Sequence, residues 1–199
     1  MHPAGQTPTT ARAPSRDAAR DAPSRVGAGA TDAALLAEFV GGDREALGRL
    51  AARHEAALIG LARGLLGGST AGAEEAVQEA WVRVIRGAAS FRGDAAVKTW
   101  LTRIVINRCR EMQRRERTRR RHEPDPPDRE NDLRPSGELE RAVRGLPTEQ
   151  REAVLLCHCR SMTSREAAAV LGVPEGTLKS RVRLALSRLR RTLRDEDES

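Results

Sequence analysis

Lys179 and Arg183 stand four residues apart, with Thr177 and Ser180 beside them. On a helix that spacing puts both cations on one face. Ammonium, guanidinium and hydroxyl groups together offer charge and hydrogen bonds to phosphates and base edges. A second set has the same character: Lys98, Arg103, Asn107, Arg110 and Arg114, continued by the cationic block RRERTRRR from Arg114 to Arg121. This is binding chemistry for a polyanion, not bond-making chemistry. One other cluster carries reactive donors, Cys157, His158 and Cys159. A structural zinc takes four ligands in a tetrahedron, and C-x-C with an adjoining His is poor geometry for one within a helical turn. Core packing is the expected role. With no Gly-rich phosphate loop and no Ser/His/Asp set in the chain, no catalytic residue, metal, cofactor or small-molecule substrate is expected.

The elements that must position these groups follow from apolar spacing. Thr163 with Glu166 three residues on is a capping box, and Ala167, Val170 and Leu171 supply an apolar helix face. Gly172 stands where a helix end needs a left-handed residue, and Pro174 suits the first turn of the next helix. Leu178, Val182, Ala185, Leu186, Leu189 and Leu193 then recur at steps of three and four, opposite Lys179, Ser180, Arg183, Ser187 and Arg190. Two helices, a glycine turn and a basic second face make a helix-turn-helix, whose second helix enters the DNA major groove.

The 199-residue chain carries 35 Lys+Arg against 28 Asp+Glu, a formal charge of +7, which favours nucleic acid before membrane. Two Phe, two Trp and no Tyr leave few platforms for base stacking. Three cysteines are too few and too unevenly spaced for a disulfide framework, and no run approaches the roughly 18 apolar residues of a membrane span. A cytoplasmic protein is expected.

Along the chain, residues 1–30 are Ala, Pro, Thr, Gly and Arg with almost no large apolar group, a tail that cannot offset its ordering entropy. Residues 31–121 read as four helices. The first holds Leu35, Leu36, Phe39 and Val40; Asp43 caps the second; Ser69 or Thr70 opens the third, with Ala73, Val77, Trp81, Val84 and Ile85 inward. The fourth starts near Val97, with Val97, Trp100, Leu101, Ile104, Val105 and Met112 buried and Lys98, Thr99, Arg103, Asn107, Arg110 and Arg114 opposite. Residues 122–137 hold four prolines and five acidic residues against two arginines, an extended linker. A second unit, 138–194, begins with Leu139, Val143 and Leu146 on one face and ends in the helix-turn-helix; 195–199 is an acidic tail.

In this order EEAVQEAWVRVIR, SFRGDAAVKTWLTRIVINRCREMQRRER, GLPTEQREAVLL and VLGVPEGTLKSRVRLALSRLRR resemble the sigma-70 family of bacterial RNA polymerase sigma factors, in particular the small extracytoplasmic-function (ECF) group. The resemblance implies an all-α fold of two small helical domains, a sigma region 2 bundle and a sigma region 4 helix-turn-helix, joined by a flexible linker. It implies that Glu75, Gln78 and Glu79 dock on core RNA polymerase. It places Phe91 to Lys98, with Arg92 and Asp94, at a loop that captures a flipped base of the promoter minus-ten element, with Trp100 among the minus-ten-binding residues and Asn107 at the family position lining that pocket. Lys98, Arg103, Arg108, Arg110 and Arg114 would hold phosphates there. Thr177, Lys179, Ser180 and Arg183 would meet the minus-thirty-five element. The acidic linker would thread the polymerase's RNA exit path, and an anti-sigma partner is implied. The chain departs from the family at LLCHCRSM, where an aromatic-rich stretch is usual. Two other readings are a stand-alone helix-turn-helix regulator, which leaves 91–115 without purpose, and a redox or zinc sensor, which rests on Cys157 and Cys159 alone.

Overall fold

A computed structural model describes residues 30–122 and 137–197; the expected N-terminal tail, most of the linker and the end of the acidic tail lie outside the described residues. Among the described residues every regular element is helical. They are α1 (Asp32–Val40), α2 (Arg44–Leu65), α3 (Thr70–Gly87), a 3₁₀ turn (Ala88–Ser90), α4 (Val97–His122), α5 (Glu138–Arg144), α6 (Thr148–His158), α7 (Ser164–Leu171) and α8 (Glu175–Asp197). None is long and apolar enough to cross a membrane.

The helix starts follow the polar caps. Thr31 accepts from Ala34 N–H, Asp43 from Glu45 and Ala46 N–H, and Ser69 from Gly72 N–H, satisfying donors that a first turn leaves open. Pro174 stands just before α8, where its carbonyl accepts from Leu178 N–H.

α1–α4 form one half and α5–α8 the other, and from Thr31 onward the described residues make one compact unit. A single apolar cluster runs through both halves: Leu58, Leu61 and Leu65 of α2, Val77 of α3 and Ile106 of α4 are continuous with Leu156 of α6 and Leu178 of α8. At the seam, a Cβ on Gly64 would lie 2.9 Å from Leu155 Cδ1, so the glycine lets α6 approach α2 closely. The Arg151 guanidinium crosses the same seam and donates to the carbonyls of Leu65, Arg144 and Leu146.

Three expected orientations differ. Ile85 is half exposed, because the buried face of α3 runs through Ala73, Ala76, Val77, Ala80 and Val84, and Ile85 falls about 100° off it. Leu139 is exposed, and Ala142 occupies the buried side of α5. Thr99 is buried, because α4 is covered along two stripes, one through Leu101 and Val105 and one through Thr102, Ile106 and Cys109.

Candidate nucleic-acid interface

The C-terminal half presents one open polar face. Thr163 caps α7, and Glu166 returns the bond: its carboxylate accepts from the Thr163 backbone N–H at 2.8 Å. That N–H, and then the Thr163 hydroxyl, hold the Glu166 carboxyl below the usual carboxylate range. Gly172 turns the chain at φ +69°, where a Cβ would be strained. Leu178, Ala185 and Leu189 anchor α8 in the core, and Thr177, Lys179, Ser180 and Arg183 are all exposed on its outer side. Lys179 Nζ lies 2.7 Å from Glu175 Oε1, an exposed i,i+4 pair of little net strength that yields readily to a phosphate. Arg183 has no partner among the described residues. Arg181 turns the other way, to Glu149 of α6 at 3.3 Å.

The first half supplies a cleft of about 210 Å³ lined by Phe91, Arg92, Asp94, Thr99, Trp100 and Arg103, among others. Phe91 and Trp100 stack in a tilted pair, ring centroids 5.0 Å apart. The cleft brings together five of the residues expected at the minus-ten element, one of them, Arg103, expected as a phosphate contact. It does not include Asn107, which is exposed one helical turn beyond Arg103. Arg114 is exposed and unpaired among the described residues.

Three further cations of α4, Lys98, Arg103 and Arg110, are engaged by the other half. Arg110 gives Nε and Nη2 to the two oxygens of Glu152, each at 2.7 Å. Glu152 is 3% exposed. Arg103 donates to the Ala169 carbonyl, Lys98 to that of Ser161 at 3.3 Å, and the buried Arg160 to Thr102 Oγ1 at 3.3 Å. Three of the five expected minus-ten phosphate cations thus hold the two halves together.

Arg108 corrects an expectation. It is not placed for phosphate: at 2% exposure it lies between α3 and α4, and its guanidinium meets Glu75, Glu79 and Glu111. Glu75 and Gln78 stand exposed on α3 and Glu79 is half-buried. Val82, on the same face one turn on, and Ile85 beside it extend this acidic ridge with exposed apolar surface.

Spacing alone carried signals for the two features that were missed. Leu101, Val105, Arg108 and Met112 recur at steps of four, three and four, so Arg108 falls on the inner stripe of α4. Glu152 stands three and four residues before Leu155 and Leu156, on the inner side of α6. Of the cysteines, Cys109 is buried and its thiol pushed up to about 12 by that burial. Burial also raises Cys157 and Cys159, which makes their thiols less nucleophilic at neutral pH. Among the described residues no three of His, Cys, Asp and Glu are grouped to hold a metal ion.

The family model for Sigma-70 region 2 matches residues 50–119, and that for Sigma-70, region 4 matches residues 136–189. The ECF RNA polymerase sigma factor SigM of Mycobacterium tuberculosis is 40% identical over 171 residues, covering 82% of this chain and 85% of the relative. Among solved structures, CnrH in complex with the cytosolic domain of CnrY superimposes with a TM-score of 0.65 at 27% identity, over 82% of this chain and 97% of that one. The sigma factor RpoE of Bartonella quintana, in complex with the anti-sigma factor NepR, gives 0.61 at 27% identity, over 73% and 95%.

Proposed function

The chain belongs to the ECF RNA polymerase sigma factors, and from that premise we propose that it binds core polymerase, directs it to a promoter and assists melting there, without a catalytic centre of its own. The observation that carries this reading is the exposed set Thr177, Lys179, Ser180 and Arg183 on a helix fixed from behind by Leu178 and Ala185. In this reading residues 31–121 and 138–194 are the two working domains, α8 reads the minus-thirty-five element, and the Phe91–Trp100 cleft with Asn107 receives an unpaired minus-ten base. Glu75, Gln78 and Glu79 dock on the polymerase. The protein works in the cytoplasm, and an anti-sigma protein is its second partner, as NepR is for the RpoE it resembles.

The packing of the two halves is the closed form of this factor. Lys98, Arg103 and Arg110 cannot serve promoter phosphates while they hold Ser161, Ala169 and Glu152. The halves therefore separate when the polymerase and promoter are engaged.

Reconstituted run-off transcription with purified core polymerase tests the reading. The protein should confer start-site selection on the core and should bind promoter DNA poorly alone; a stand-alone regulator would shift its operator without polymerase. Arg183→Ala should weaken promoter binding by about 1–3 kcal/mol if it meets a base edge, and unchanged affinity and base preference would remove it from the readout. Asn107→Ala should impair strand opening more than initial promoter binding, read by permanganate footprinting against a gel-shift titration. Equal loss in both assays would contradict its place at the flipped base.

A further inference from the structure

We propose that Arg108 is a positioning residue for polymerase docking: from beneath the α3 surface it fixes the carboxylates of Glu75 and Glu79 that face the partner. This rests on the docking reading above and names how that surface is set. Arg108 enters from α4, its stem buried between α3 and α4, and its planar guanidinium reaches three carboxylates. Nη2 donates to Glu75 Oε1 at 3.0 Å and to Glu79 Oε1 at 2.9 Å, Nε lies 2.7 Å from Glu79 Oε2, and Nη1 lies 3.5 Å from Glu111 Oε2. Glu111 is held in turn by Arg83 at 2.8 Å and Arg115 at 2.6 Å.

The asymmetry of exposure gives the arrangement its meaning. The cation is 3% exposed in its side chain, whereas those of Glu75 and Glu79 are 57% and 45% exposed. A cation that closed the site to water would leave the acids buried with it. Here the acids keep their outer lone pairs in solvent, and Glu75 Oε2 has no partner among the described residues, so further acceptor sites remain for a cationic or N–H-bearing partner. Glutamates on an open helix face lose rotamer freedom when a partner immobilises them. Glu75 and Glu79, four residues apart and tied to one rigid fork, have already lost it. The same geometry keeps Arg108 from nucleic acid, since an approaching phosphate meets three carboxylates first.

The test is a double-mutant cycle on the full chain, read as affinity for purified core polymerase. Arg108→Met, whose unbranched apolar side chain can occupy part of the Arg stem's place, should weaken association roughly five- to fifty-fold. Glu75→Gln with Glu79→Gln should weaken it as well. In that acid-less background Arg108→Met should have little further effect, because its action passes through the two carboxylates. Arg108→Lys should recover part of the loss: one ammonium restores the charge but cannot match the fork. Where Arg108→Met fails to fold, Arg108→Lys carries the same cycle. An Arg108 effect of equal size in both backgrounds would make the residue merely structural and overturn the proposal. So would full affinity in Arg108→Met while the Gln pair is weak. Full affinity in the Gln pair would instead show that these acids do not dock, and the docking reading would fall with the inference.

Discussion

Leu178→Ala is expected to destabilise the protein by about 2–5 kcal/mol, the range for emptying a buried leucine site that relaxes only in part. Leu178 is fully buried where α8 begins, in the cluster that joins α6, α7 and α8. For a chain of this size that corresponds to a fall in melting temperature of roughly 4–20 °C. The same substitution six residues on is the control. Leu184 is 44% exposed, and Leu184→Ala should change stability by no more than about 0.5 kcal/mol. Urea titration followed by circular dichroism reads both. Leu178 also stands between Thr177 and Lys179, so its loss should weaken minus-thirty-five binding without removing a single DNA contact. A Leu178 variant as stable as its Leu184 counterpart would mean that α8 is not anchored through this residue.

Much of this architecture was legible in the sequence because it rests on local rules. The capping box at Thr163, the left-handed Gly172 and the three-four spacing of Leu178, Ala185 and Leu189 each act within a turn or two, and the structure has all of them. Asp43 and Ser69 cap their helices for the same reason. What was not legible depends on partners distant in the chain. Whether Thr99 is a surface residue is decided by cover on α4 that the helix's own periodicity does not record. Spacing puts Arg108 toward the inner side of α4, but it does not record which groups meet it there, the carboxylates of α3 about thirty residues earlier. In the candidate site, the exposed face of α8 could be read from amphipathic spacing alone. The engagement of Lys98, Arg103 and Arg110 could not, because it depends on how one half of the chain meets the other. Residues 123–136, where the acidic linker was expected, lie outside the described residues.

Glu152→Gln is expected to shift the protein toward an open arrangement and thereby to strengthen its binding to core polymerase. The carboxylate of Glu152 is buried and takes two charge-assisted bonds from Arg110, which also lift the Arg110 guanidinium pKa further. A glutamine there keeps the shape but turns an NH₂ group toward a guanidinium, so one acceptor is lost and two donors face each other. Removing one partner of a fully buried pair costs about 3–5 kcal/mol. Here the penalty is smaller, because the Arg110 side chain is 37% exposed and water screens it. About 1–3 kcal/mol is expected, a change of roughly 5- to 150-fold in the closed-to-open ratio. The Arg110–Glu152 bonds run between the two halves, so their loss falls on the closure. If only the open form binds polymerase, apparent affinity scales with the open fraction, so the variant binds more tightly until that fraction approaches one. Energy transfer between dyes on α2 and on the exposed side of α8 reads the opening, and titration with core polymerase reads the consequence. Arg110→Ala opens the same seam but removes a candidate minus-ten cation, so it should match Glu152→Gln in the dye distance and fall below it in promoter binding. If Glu152→Gln leaves both the distance and the polymerase affinity as they are, this pair does not hold the factor in a closed form that engagement must open.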